Sequence, residues 1–286
     1  MAVGGAPLFR HGGLSGEPMK SARGFCRLLL ILRRFWGTAL ASQLEYQLNM
    51  LIELLAMLAN LAGSLFLLSL FYRQGIGLGG WSWSAAQVVL AAYTLLNGLT
   101  ATLLQPNLSR IVTHVQQGSL DFVLLKPIDS QFWLSLRTIS PAGFPEIATG
   151  LVWMFYAAHQ AGAPLSAAAI AITLLLLASG ALILYSLWFV LATTTIWFVK
   201  TWNATEVLRA ALVAGRYPIG AYPPALRSLF TLVLPVAFLT TVPAEALLGR
   251  LAWPWALASL VVASGCLVIS RCFWLFAIRF YTSASS

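Results

Sequence analysis

Ionisable groups that could do chemistry are scarce in this sequence. Glu53 and Glu146 lie in long apolar stretches, where an acid costs roughly 2.5–3.5 kcal/mol on insertion scales and needs a partner, a polar cavity or nearby water. Asn60 and Asn97 lie in the same kind of surroundings, where a carboxamide hydrogen-bonds a neighbouring helix or contacts a passing solute. The densest polar cluster is GSLDFVLLKPIDSQF, residues 118–132, in which Asp121, Lys126 and Asp129 stand beside Gly118 and Pro127. These groups suit binding and the transmission of force better than bond-making.

Several catalytic chemistries lack their residues. There is no GxxxxGK[ST], so nucleotide phosphates have no cradle here, and ATP and magnesium would belong to another subunit. His11, His114 and His159 are far apart, and Cys26, Cys266 and Cys272 have neither zinc nor redox spacing; the thiols read as small hydrophobes. No Ser/His/Asp set or carboxylate pair converges on one centre, so the chain reads as a non-enzyme with no cofactor of its own. Gly75, Gly77 and Gly80 match GxGxxG, but they follow an apolar span and precede WSW. They lack the strand and helix that a dinucleotide site requires, and they read as an outer turn anchored by Trp81 and Trp83.

The elements that hold these residues follow from composition. The chain is 59% hydrophobic and 9% charged, against about 25% charged in a soluble domain. That composition predicts an all-α membrane protein embedded in a lipid bilayer. Six stretches meet or approach the roughly 20 apolar residues that a span needs: 47–72, 84–104, 139–159, 168–199, 228–248 and 254–278. Pro235 and Pro243 interrupt the fifth, which is expected to break or re-enter near the outer surface.

Residues 1–21 read as a flexible tail ahead of a transmembrane domain over 22–286. Arg23, Arg27, Arg33 and Arg34 in ARGFCRLLLILRRFWG suit an amphipathic helix in the headgroup region, and equally the basic flank of the first span. With the N-terminus inside, only Arg73 and Arg250 of the 17 basic residues fall outside. The positive-inside rule therefore favours six spans with both termini cytoplasmic, and the net charge of +9 reads as loop orientation, not nucleic-acid binding.

That topology puts the polar cluster in a cytoplasmic loop. After Pro106, the residues Leu108, Ile111, Val112 and Val115 recur at helical spacing, with Arg110, His114 and Gln117 on the other side and Gly118 where a helix would stop. Leu120, Phe122 and Leu124 beside Asp121 and Lys126 offer apolar knobs and orienting charges to a partner, or anchor the loop at the surface.

Two blocks, GSLDFVLLKPIDSQF and GRYPIGAYPPALRSLFTLVLPVAFLTTVPAEALLG, resemble the signatures of bacterial ABC-2 type permeases with six spans, and the likeness extends from about residue 25 onward. The resemblance implies a permease subunit in the bacterial inner membrane, a homodimer or a heterodimer with a related permease, driven by a separate ABC ATP-binding subunit. It implies export, with an amphiphilic or glycan-type cargo. Carried onto this sequence, it makes Arg110, His114, Gln117, Asp121, Phe122 and Lys126 the contacts that couple the permease to the ATPase, and it makes Pro235 and Pro243 the break of an outer re-entrant span. The alternative from the residues alone is a membrane scaffold or assembly factor that holds a cytoplasmic partner without transport.

Overall fold

A computed structural model describes residues 36–37, 47–75, 78–198, 208–210 and 212–281. The expected tail, the four arginines of the N-terminal stretch and Gly77 lie outside the described residues. Among the described residues the fold is helical, and the only β feature is an isolated bridge between Leu78 and Trp81.

The first long helix, α1 (Gln47–Arg73), is apolar around most of its circumference, as a helix facing lipid must be. A tight turn leads to α2 (Trp83–Leu99), whose N-cap Ser82 accepts the Ala85 N–H at 3.3 Å. α2 runs through a π-helical turn, Thr100–Leu104, into α3 (Gln105–Gln116). The amphipathic helix expected after Pro106 therefore continues the second span as one rod over Trp83–Gln116, 34 residues and about 51 Å long. A hydrocarbon core of about 30 Å cannot cover that length, so the amphipathic end projects from it.

The π turn fits the proline. Pro106 has no N–H for the carbonyl of Thr102 four residues earlier, and that carbonyl instead accepts Ser140 N–H at 2.9 Å.

Two short helices follow, α4 (Asp121–Leu124) and α5 (Ser130–Leu136). The chain re-enters the bundle through a 3₁₀ turn at Pro141–Gly143 and α6 (Phe144–Gln160). α7 (Ala167–Thr193) starts on Ser166, which caps it by accepting Ala169 N–H at 3.1 Å. The bent segment holds α8 (Pro224–Ser228) and α9 (Thr241–Leu247), and α10 (Trp253–Ala277) closes the described chain.

Among the described residues four helices are long and apolar enough to cross a membrane: Leu51–Arg73, Trp83–Gln116, Ala167–Ile196 and Trp253–Ala277. Pro224–Val233 and Val236–Leu247 make a fifth if counted as one broken span, bent by 75° between Val233 and Val236. Pro235 stands at that break, and both it and Pro243 are buried. Irregular backbone at membrane depth is tolerated where protein surrounds it, and Val236–Ala244 is buried throughout. The stretch expected to span 139–159 differs in length, because its first residues form an extended link and the 3₁₀ turn. Helix α6 proper has 17 residues, about 26 Å.

Small residues set the packing. α2 and α6 lie so close that a Cβ on Gly150 would stand 2.6 Å from the Leu95 backbone nitrogen. α7 and α10 meet through buried Phe189 and Trp274, with ring centroids 5.5 Å apart edge to face. Ser179 and Ser259 are buried on those two helices, and Ser179 Oγ donates to the Ser259 carbonyl at 2.9 Å.

Candidate functional site

The polar loop starts where α3 stops. Gly118 takes φ +66°, Gly118 N–H donates to Val115 O at 3.2 Å, and Ser119 N–H donates to His114 O at 2.9 Å. This is the left-handed termination that glycine permits without strain. Ser119 Oγ also lies 2.8 Å from His114 Nδ1, so one residue holds both the backbone and the ring of His114.

Beyond the turn, Leu120 and Val123 are buried while Phe122 is 71% and Leu125 81% exposed. The four-residue α4 and the two residues that flank it thus plant two aliphatic side chains in the bundle and present an aromatic and a leucine outward. Of the remaining residues singled out in the sequence, Arg110, Gln117 and Lys126 are exposed and Asp121 is half-buried.

Trp133 organises the cations. Lys126 Nζ lies 4.4 Å and Arg137 Cζ 4.6 Å from its ring centroid, and the His114 ring stands 6.0 Å away. Arg110 Nη1 donates to Thr138 Oγ1 at 3.3 Å, and buried Asn107 clamps the Thr138 backbone from both sides, at 2.7 and 2.8 Å. The ends of the loop are therefore fixed to α3.

Its middle is fixed to α7 and α10. Asp129 caps α5 by accepting Phe132 N–H at 2.9 Å, and Arg271 Nη2 donates to Asp129 Oδ2 at 2.6 Å. Arg271 Nη1 also donates to Gln131 Oε1 at 3.2 Å, and Gln131 Nε2 donates to Tyr185 Oη at 3.1 Å. Ser135 Oγ lies 2.8 Å from Tyr185 Oη, and Trp274 Nε1 donates to Ser130 Oγ at 3.0 Å. Burial raises the Asp129 carboxyl, but the hydrogen bond and charge of Arg271 and the Phe132 amide outweigh it and hold the group below the ordinary carboxylate range.

A second feature gathers the intramembrane polar residues. Glu53, Asn60, Asn97 and Glu146 all line one cavity of about 530 Å³ between α1, the π turn and the start of α6, with Arg209 at its edge. Asn97 Nδ2 donates to Glu146 Oε2 at 2.9 Å, and Arg216 Nη2 donates to Asn60 Oδ1 at 3.0 Å. Each carboxamide thus meets a charged group. Arg216 also lies 5.0 Å over the Tyr93 ring. Among the described residues no group of three or more His, Cys, Asp or Glu could hold a metal ion.

A family model described as ABC-2 family transporter protein matches residues 58–285, which include the loop, the bent segment and the lining of the polar cavity apart from its first residues on α1, Glu53 among them. The chain belongs to this family. No curated protein and no solved structure matches it. ABC-2 family proteins are membrane transport subunits, not themselves enzymes, and in general they work with an ABC ATP-binding partner. In this ABC-2 chain the sequence singled out Phe122 on the outward side of the loop, but it also offered Leu120, which is buried, and Leu124, which packs on the core, and it missed exposed Leu125 and the anchors beneath: Gln131, Tyr185, Arg271 and Trp274. The signal was present in part, since a tyrosine, an arginine and a tryptophan in apolar helices each need a hydrogen-bond partner.

Proposed function

We propose that this chain is the permease subunit of an ABC exporter in a bacterial inner membrane, and that residues 118–137 receive the stroke of a separate ATP-binding subunit. One observation supports this above the rest. The loop is rigidly bonded to α7 and α10 on its inner side, while Phe122 and Leu125 are 71% and 81% exposed on its outer side. A partner groove that takes up these two side chains would move α5, and α5 would carry Arg271 and Tyr185 with it. A surface-lying loop held only by its own hydrophobes would have no such bonds to two long helices.

On this reading the chain has six spans with both termini cytoplasmic, α6 being the short third span and the bent Pro224–Leu247 segment the fifth. ATP and magnesium sit in the partner. Two permease chains, identical or related, enclose the path of an amphiphilic or glycan-type cargo, and the cavity of Glu53, Asn60, Asn97 and Glu146 faces that path.

The test is reconstitution with the ATP-binding subunit in lipid nanodiscs. Phe122→Asp combined with Leu125→Asp is expected to abolish co-purification of that subunit and the ATP turnover that depends on it, while the melting temperature of the permease is unchanged. Charge reversal at Asp121 or Lys126 is expected to uncouple ATP turnover from transport. Full co-purification by the double aspartate variant would overturn the coupling role, and association independent of nucleotide with no transport would favour a scaffold.

A further inference from the structure

The end of the bundle away from the loop holds a cavity of a different chemical character. Trp83–Gln116 is one rod, so the start of α2 stands at the opposite end from Gly118. There, where α1 and α6 finish and α2 begins, lies a cavity of about 830 Å³ with no charged residue in its lining. That volume is within the roughly 300–1,000 Å³ of small-ligand sites.

Its walls are aromatic: Phe66 from α1, Trp83 from α2, and Trp153 and Tyr156 from α6. Trp83 is held in place by Tyr72, whose ring meets it edge to face at 5.5 Å and whose hydroxyl donates to the carbonyls of Trp81 and Ser82 at 2.8 and 3.1 Å. Trp153 and Tyr156 pack with ring centroids 5.5 Å apart. Trp83 is 39% and Tyr156 53% exposed, so the rings keep uncovered surface.

The polar lining consists of neutral groups, among them Ser69, Gln87 and Gln160. Gln87 is decisive. It is only 7% exposed, it lines the cavity, and its carboxamide, whose polar atoms reach the cavity, makes no hydrogen bond to another described residue. The indole N–H of Trp153 in the same lining is buried without a partner among the described residues, and buried polar groups are nearly always satisfied; a ligand that accepts from the indole and both donates to and accepts from the amide would satisfy the site.

The ligand that matches rigid aromatic surface, an amide open to the cavity and hydroxyls in a neutral lining is a sugar ring. Its C–H face lies on the electron-rich face of an aromatic ring, and its hydroxyls both donate to and accept from a carboxamide. A phosphate or carboxylate would find no arginine or lysine in this lining. We propose that this cavity binds a neutral saccharide, either free or as the headgroup of a glycolipid. As a statement about binding this goes beyond the transport reading. As a statement about cargo class it rests on that reading, and because the test measures binding without nucleotide, the two can fail separately.

The full chain in phosphatidylethanolamine and phosphatidylglycerol nanodiscs would be titrated with maltotriose, with dodecyl maltoside and with dodecylphosphocholine. Indole emission and calorimetry would report binding. The expected result is saturable binding of the maltosyl group that weakens at least tenfold in Gln87→Leu and in Tyr156→Ala, with dodecylphosphocholine weaker throughout. Gln87→Leu removes an amide with no partner in the protein and is expected to melt at or above the wild-type temperature, whereas Tyr156→Ala gives up the ring contact with Trp153 and is expected to melt slightly lower but cooperatively, as a folded protein. Binding of maltotriose as well as dodecyl maltoside identifies a free sugar as sufficient, and binding of dodecyl maltoside alone identifies a glycolipid. Absence of binding by either maltosyl probe, or binding that matches dodecylphosphocholine and ignores both substitutions in folded protein, would overturn the proposal.

Discussion

Arg271 Nη2 and Asp129 Oδ2 are 2.6 Å apart and tie the loop to the last long helix, with their side chains 41% and 44% exposed. Asp129 is held below the ordinary carboxylate range, so its contribution to stability is fully present above about pH 4, the unfolded value. It is lost as the pH falls through the lower folded value. At such exposure solvent screening limits the pair to about 1 kcal/mol or less, a few degrees of melting temperature. Asp129→Asn keeps a competent N-cap and removes only the charge. Wild type is therefore expected to melt slightly above Asp129→Asn at pH 7, and the gap should close as the pH drops below 4. A gap that persisted in acid would show that the charge is not what stabilises the pair.

Trp133 supplies the surface on which two cations of the loop rest, Lys126 and Arg137, at 4.4 and 4.6 Å. Trp133→Phe keeps a weaker π face and is expected to lower stability modestly. Trp133→Leu removes the face and should cost about 1–2 kcal/mol more, within the range for partly desolvated cation–π contacts. Chemical unfolding of the two variants in the same nanodiscs would separate them. Equal losses would mean that Trp133 acts only through its volume.

How much of this was legible in the sequence depends on the range over which each feature is determined. The stop at Gly118 is local, set by helical spacing and a glycine within one turn, whereas the sequence offered Leu120, Phe122 and Leu124 alike as outward knobs and only the packing shows that Leu120 is buried and Phe122 71% exposed. Glu53, Asn60, Asn97 and Glu146 stand out one by one because each is polar in an apolar stretch. Their meeting in one cavity could not be read, since Asn97 and Glu146 are 49 residues apart and pair only because α2 and α6 pack closely. The loop's anchors were missed for the same reason: Asp129–Arg271 and Ser130–Trp274 span 142 and 144 residues. Span counting by hydropathy reads apolarity, not helicity. It counted the extended link and the 3₁₀ turn before α6 as span and did not foresee that α2 would run on through a π turn into α3.

Close approach of α2 and α6 makes Gly150 sensitive to any side chain. A Cβ there would stand 2.6 and 2.8 Å from the backbone nitrogen and Cα of Leu95, which cannot yield as a flexible side chain would. Gly150→Ala is expected to cost about 1–3 kcal/mol by overpacking, despite alanine's higher helix propensity. Gly63, on α1, has open space around its Cβ, so Gly63→Ala should be neutral or slightly stabilising. Paired melts of the two variants test the difference, and equal melting temperatures would show that the helices separate freely.

The Asn97–Glu146 contact gives a prediction about coupling within the polar cavity. Asn97 Nδ2 donates to Glu146 Oε2 at 2.9 Å, and the charge of Arg216 also acts on that carboxyl. Asn97→Ala leaves the carboxyl short of a donor, but Asn97 is exposed to the cavity and water can take its place, so the substitution is expected to cost about 0.5–1.5 kcal/mol, the net worth of an ordinary hydrogen bond. Glu146→Gln removes the charge and weakens the same bond. In the double variant the second substitution should cost less than it does alone, because the interaction is already gone. Unfolding free energies of the four proteins close the cycle, and a coupling energy near zero would mean that water in the cavity replaces Asn97 without loss.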